Sequence, residues 1–186
     1  MRIAPIAAAL LLAACYKAPE PLAIHNSIPP FTLTAQDGAK FRSADRLRGH
    51  VWIADFIFTT CTGPCPRMST QMKRVQDALA AESSVRFVSF TVDPANDTPA
   101  ALTAYAKRYG ADPTRWTFLT GDRAALHDLS RHAFLLGDVD GSLNHSTRFV
   151  LVDREGRVRG YYGSSDADVV RSLVRDTRLL VAEAAS

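Results

Sequence analysis

Two cysteines stand four positions apart in the stretch FIFTTCTGPCPRM, residues 56–68. They are Cys61 and Cys65, and three residues separate them where thiol–disulfide enzymes usually place two. A thiolate is the form of cysteine that attacks a disulfide or binds a soft metal ion. The spacing leaves both chemistries open. Two cysteines this close in a turn entering a helix can close into a disulfide. They can equally hold one ion between two sulfurs. Two thiolates alone make a poor structural zinc site, which wants four ligands. They suit a soft ion such as Cu(I), above all with an imidazole as third donor. Cys65 falls at or just before a helix start, where unpaired N–H groups and the helix dipole favour an anion.

The elements that must position this pair follow from the apolar pattern. FTLTAQDGAKF reads as a hairpin through Asp37 and Gly38, and residues 51–58 as a short buried strand. Met68, Met72, Val75 and Leu79 form a helical stripe between Arg67 and Ala81, with Pro66 in its first turn. Strands are expected at 85–92 and 115–119, and helices at 98–109, capped by Asp97 or Thr98, and at 122–135. Residues 147–153 and 157–163 read as two strands joined at Arg154-Glu155-Gly156, and a last helix covers 166–183. This is an α/β pattern. It resembles the thioredoxin-like fold over residues 31–183, which implies a central mixed sheet flanked by helices behind an N-terminal hairpin.

Thioredoxins also carry an aspartate six residues before their first cysteine, and here that residue is Asp55. Aspartate is rare inside an apolar strand unless it is paired or functional. Two readings follow: a buried proton acceptor for a cysteine, or a group hydrogen-bonded within the sheet. Asp93, at the cysteine end of the next strand, either supports the site from behind or caps the turn at Pro94.

There are five histidines. His25 lies in a proline-rich stretch, and His50 stands at the opposite end of strand 51–58 from the cysteines. His127 and His132 are five apart on one helix, about 140° around its axis, and cannot chelate together. His145 remains. In the thioredoxin-like sheet the strand beginning near Thr147 runs antiparallel to 51–58, so its start lies beside Cys61. Thioredoxins place a cis-proline just before that strand. This chain has no proline after Pro113 and sets His145 and Ser146 there.

TTCTGPCPRM, then TVDPANDTP, then NHSTRFVLVD together resemble the Sco/SenC family of copper-binding assembly proteins. The resemblance implies copper, as Cu(I) or Cu(II), held by Cys61, Cys65 and His145. It further implies delivery of copper to the dinuclear copper centre of cytochrome c oxidase, or reduction of that centre's cysteines. The implied partner is the oxidase's copper-bearing subunit or another exported copper protein. Asp55 departs from the family pattern and keeps the alternative of a thiol–disulfide reductase in view. Met68 and Met72 fit core packing better than thioether ligation.

The N-terminus fits this setting. Ile3 to Ala14 is too short an apolar run to span a bilayer and has the form of a secretory signal. It ends in Leu12-Ala13-Ala14-Cys15, which resembles the bacterial lipoprotein cleavage box. Residues 1–14 are therefore expected to be a signal, Cys15 to carry lipid, residues 15–30 to form a proline-rich spacer, and 31–186 to form the domain. Only Cys61 and Cys65 then remain, so no disulfide scaffold is possible. The implied place is the periplasmic side of a bacterial envelope membrane. The formal charge of +3 is too small and too mixed to argue for nucleic acid. Arg171, Arg175 and Arg178 read as a solvated helix face. Mass spectrometry of the native N-terminus should find a lipid-modified Cys15, and replacing Cys15 should release the protein from membranes.

Overall fold

A computed structural model describes residues 20–140, 143 and 145–183. Eight strands form one sheet in the order β1-β8-β7-β4-β5-β6-β2-β3. In chain order the strands and α-helices are β1 (Asn26–Ser27), β2 (Thr32–Ala35), β3 (Lys40–Arg42), then α1 (Ser43–Arg46), β4 (Trp52–Ile57), α2 (Pro64–Ala78) and β5 (Arg86–Thr91). They continue as α3 (Pro99–Arg108), β6 (Trp116–Thr120), α4 (Arg123–Asp128), β7 (Arg148–Val152), β8 (Arg157–Gly163) and α5 (Val169–Glu183). The mixed α/β fold expected from the sequence is present.

β4, β5 and β6 are parallel, and β7 lies antiparallel on the other side of β4. β4 is buried along its whole length, as its nearly unbroken apolar run requires. Its side chains alternate between two cores. Ile53 and Ile57 face α2, α3 and α5, where they meet Met68, Met72, Leu102 and Leu173. Trp52, Ala54 and Phe56 face the other layer, with Leu126, Leu129 and Phe134. Met68 and Met72 are fully buried, so packing accounts for both. Truncating such a side chain to alanine costs about 2–5 kcal/mol.

Thr98 is the residue that caps α3, its Oγ1 accepting from the N–H of Ala101 at 3.2 Å. The helix expected over 122–135 is α4 followed by one wider π turn, Leu129–Ala133. α2 begins earlier than its stripe suggested, at Pro64, so Cys65 lies inside its first turn.

The stretch expected as a spacer differs in its second half. β1 pairs with β8, and the Arg159 guanidinium donates to the carbonyl of Leu22 at 2.8 and 3.1 Å. His25 packs against the ring of Tyr161. The packed domain therefore reaches back to about Leu22, and a two-residue strand with no alternation leaves little trace in the sequence. Residues 1–14 and Cys15 lie outside the described residues. Among the described residues no helix is long and apolar enough to cross a membrane.

Candidate metal centre

β4 runs out at Ile57, and the chain turns through Phe58, Thr59 and Thr60 to Cys61. The N–H of Cys61 donates to the carbonyl of Phe58 at 3.3 Å. Pro64 and Pro66 then open α2, where a missing N–H costs nothing. Cys65 is fully buried and Cys61 half-buried; neither is in a disulfide. From the far side of β4, β7 runs in antiparallel register, with Trp52 opposite Val152 and Ala54 opposite Val150. That register returns the residues before Arg148 to the cysteine end of β4.

His145 arrives there. Its Nε2 lies 3.3 Å from the sulfur of Cys65. Its Nδ1 lies 2.9 Å from the carbonyl oxygen of Ser146. A carbonyl only accepts, so Nδ1 carries the proton and the Nε2 lone pair faces the sulfur. Phe58 stands edge-on to the ring with centroids 5.7 Å apart, which fixes the imidazole plane. The ligating atoms of Cys61, Cys65 and His145 all lie within 4.8 Å of one another. Among the described residues no other three His, Cys, Asp or Glu side chains gather in this way.

The electrostatics favour neutral groups. Burial pushes the Cys65 thiol well above its ordinary range, and its hydrogen bond with Cys61 adds to this. Desolvation at this cysteine therefore works against the anion that a helix start favours. Burial also lowers the pKa of His145. Cys65 thus stands as a thiol beside a neutral imidazole, and an ion held here would have to displace the thiol proton.

A chain that places two sulfurs and an imidazole nitrogen at this point in a thioredoxin-like sheet can be compared with known proteins. The family model described as SCO1/SenC matches residues 21–180. This chain belongs to the SCO1/SenC family. It is 34% identical over 161 residues to the SCO1 protein homolog of Bacillus subtilis, covering 83% of each chain. The structure of BsSco, a member of the Sco family of cytochrome c oxidase assembly proteins with a disulfide switch, matches with a TM-score of 0.77. That match has 31% identity and covers 89% of this chain and 99% of that one. Arabidopsis thaliana ScoI, solved with copper bound, matches at a TM-score of 0.69 and 25% identity, covering 83% of this chain and 98% of that one.

The two carboxylates singled out in the sequence sit outside the group of three. Asp93 is engaged in the turn after β5: it accepts from Asn96 Nδ2 at 2.8 Å, and its carbonyl accepts from the N–H groups of Asn96 and Asp97. Asp55 lies on the α2 face of β4 and is fully buried. Ser89 Oγ donates to its Oδ1 at 2.6 Å, and Trp116 Nε1 donates to that hydroxyl at 2.9 Å. Its Oδ2 has no hydrogen-bond partner. Burial raises its pKa to about 7, against the opposing pull of Ser89. A negative Asp55 also opposes ionisation of Cys65.

The residue that sequence reasoning missed is Asp97. It is fully buried. It accepts from the N–H of Thr59 at 3.2 Å and from Thr59 Oγ1 at 2.5 Å, and also from Thr91 Oγ1. Asp97 therefore clamps the loop that delivers Cys61 to the end of β5. Its position after Asp-Pro suggested only a helix cap. The parallel register that sets Ile57 beside Thr91 is what brings Thr59 within reach.

Two outcomes follow from these carboxylates. Asp97→Ala should destabilise the domain by about 2–4 kcal/mol, since it strands several buried donors; denaturant midpoints measure this. Asp55 has a folded pKa raised from 3.8 to about 7, so the native state keeps a proton that the unfolded chain has lost. Its stabilising contribution is present below the unfolded value and is lost as pH rises toward 7, up to ~4 kcal/mol. Asp55→Asn, neutral throughout, should flatten that part of the stability profile. Chemical denaturation at a series of pH values checks it, and an unchanged slope would exclude Asp55 as the source.

Proposed function

We propose that this chain is a lipid-anchored copper chaperone that delivers copper to the dinuclear centre of cytochrome c oxidase. The single observation that carries the reading is the convergence of Cys61 Sγ, Cys65 Sγ and His145 Nε2 within 4.8 Å. The donor set fits the cargo. Two thiolates suit Cu(I), and the imidazole adds a donor that Cu(II) also accepts. Three protein donors leave the ion's shell incomplete. An acceptor can therefore add its own ligand before the donor's ligands leave, and the ion moves without unfolding this domain.

Burial of Cys65 keeps it a thiol until an ion displaces its proton. Half-exposed Cys61 gives the approaching acceptor a sulfur to reach. The Ser146 carbonyl holds the imidazole so that it binds without first turning. Asp93 and Asp97 shape the turn and loop behind the cysteines. The chain's work is transfer of an ion, with no catalytic turnover. The lipoprotein-type sequence ending at Cys15 supports an anchor on the periplasmic side of a bacterial envelope membrane, where an oxidase presents its site.

A second reading has one observation of its own. Asp55 is buried on the side of the sheet that carries Cys65, with an unpaired oxygen, and could accept a proton during thiol exchange. On that reading Cys61 and Cys65 reduce a disulfide of an exported partner, and His145 has no stated task.

His145→Ala separates the two. The variant should keep much of its Cu(I) binding through two sulfurs. It should lose Cu(II) affinity by at least about tenfold, ~1.4 kcal/mol, and still form the Cys61–Cys65 disulfide. Cys61→Ser or Cys65→Ser should abolish tight binding of both ions. Anaerobic titration with a competing chelator measures all of these. Unchanged Cu(II) affinity and spectrum in His145→Ala would favour the reductase.

A further inference from the structure

Among the described residues two non-glycine residues have a left-handed backbone: Leu135, with φ of 55°, and Leu143, with φ of 59°. Both are leucines, and both are exposed, at 55% and 36%. Each position carries two separate costs. A branched side chain is strained in this region, where glycine or asparagine sits easily. An exposed leucine also leaves apolar surface in water that a polar residue would not. The core gains nothing in return, since neither side chain belongs to it.

Their placement gives the reason. Leu143 lines the open cleft that holds Cys61 and His145, together with Phe58, Thr60 and Pro64. Leu135 lines the adjoining hollow, where His145 and Ser146 form a wall. His145 is common to both, so each of the two hollows that share the imidazole carries one of the leucines. Among the described residues the cleft lining contains no Asp, Glu, Lys or Arg. The second hollow is lined also by Asp138, which is paired with Arg131, and by Arg148.

We infer that Leu135 and Leu143 form an apolar docking collar for the protein that receives copper from this site, a partner whose own metal loop has an uncharged, apolar rim. The inference rests on the copper reading above. An ion held by Cys61, Cys65 and His145 passes only when an acceptor atom comes within bonding distance. Its carrier must therefore cover this cleft, and the two leucines are the apolar surface it meets beside the imidazole. Covering them expels water from the exchange site. A charged rim would lose its hydration against a cleft with no countercharge. In the exchange Cu(I) keeps its electron. With a dithiol acceptor, each sulfur of this chain that releases the ion takes up a proton, and each acceptor thiol that binds it gives one up.

The test replaces both leucines by asparagine, Leu135→Asn with Leu143→Asn, because asparagine tolerates the left-handed backbone. The probe is the soluble copper-bearing domain of the oxidase subunit from the same organism. The double variant should bind Cu(I) as the wild type does and melt at the same temperature or higher. It should transfer copper to that domain at least about tenfold more slowly, the scale of one interface anchor. Wild-type transfer should change by less than about twofold between low and high salt, since no charge pairs form in the cleft. Unchanged transfer by the variant, or a steep fall with salt, overturns the collar and leaves the chaperone reading standing. Transfer that falls only in step with Cu(I) affinity also overturns it, because the leucines would then support the site and not the partner. No transfer by the wild type removes both.

Discussion

The antiparallel pairing of β7 with β4 is the constraint on which the rest depends. β4 carries the chain to the cysteines, and β7 starts where β4 ends. The register of three residue pairs, Trp52 to Ala54 against Val152 to Val150, fixes how far His145 reaches past the sheet. A slip by one residue would turn Phe149 and Leu151 from one core to the other. Both are fully buried among α2 and α5 neighbours, so the slip would strand apolar surface on one face and overfill the other. The position of an imidazole eighty residues from Cys65 is thus held by side-chain packing along a strand, and the metal itself need not create it.

Two buried carboxylates secure opposite ends of this arrangement. At the site end, Asp97 ties the Thr59 loop to β5. At the far end, Asp153 follows β7 and pairs with Arg157 and with the buried Arg159, which in turn holds the Leu22 carbonyl and Glu183. Each satisfies donors that would otherwise be stranded in a dry environment. Asp55 is the exception, with one oxygen unpaired in the middle of the sheet. It spends stability at neutral pH, and it lies on the face that carries Cys65.

Much of this was legible in the residues. The cysteine spacing, the helical stripe from Met68 to Leu79 and the continuous apolar run of β4 each state their own structure, because one physical period governs each. His145 could be singled out by exclusion once the strand direction was known. Other features depend on register or packing depth, which no local pattern encodes. Asp97 became a clamp only because Ile57 and Thr91 pair in parallel. Cys65 sits at a helix start that should favour a thiolate, yet its burial is decided by α2 and the sheet beneath it. β1 is two residues long and shows no alternation. The left-handed backbone at Leu135 and Leu143 has no sequence signal at all, since leucine is among the last residues expected there.

The central claim is that copper binds between two sulfurs and one imidazole nitrogen at the end of β4. X-ray absorption spectroscopy of the Cu(II)-loaded protein tests it most directly, because it counts the neighbours of the ion itself. The account predicts two sulfur scatterers and the outer-shell pattern of one imidazole. A shell of nitrogen and oxygen alone, or one with sulfur and no imidazole, would contradict it.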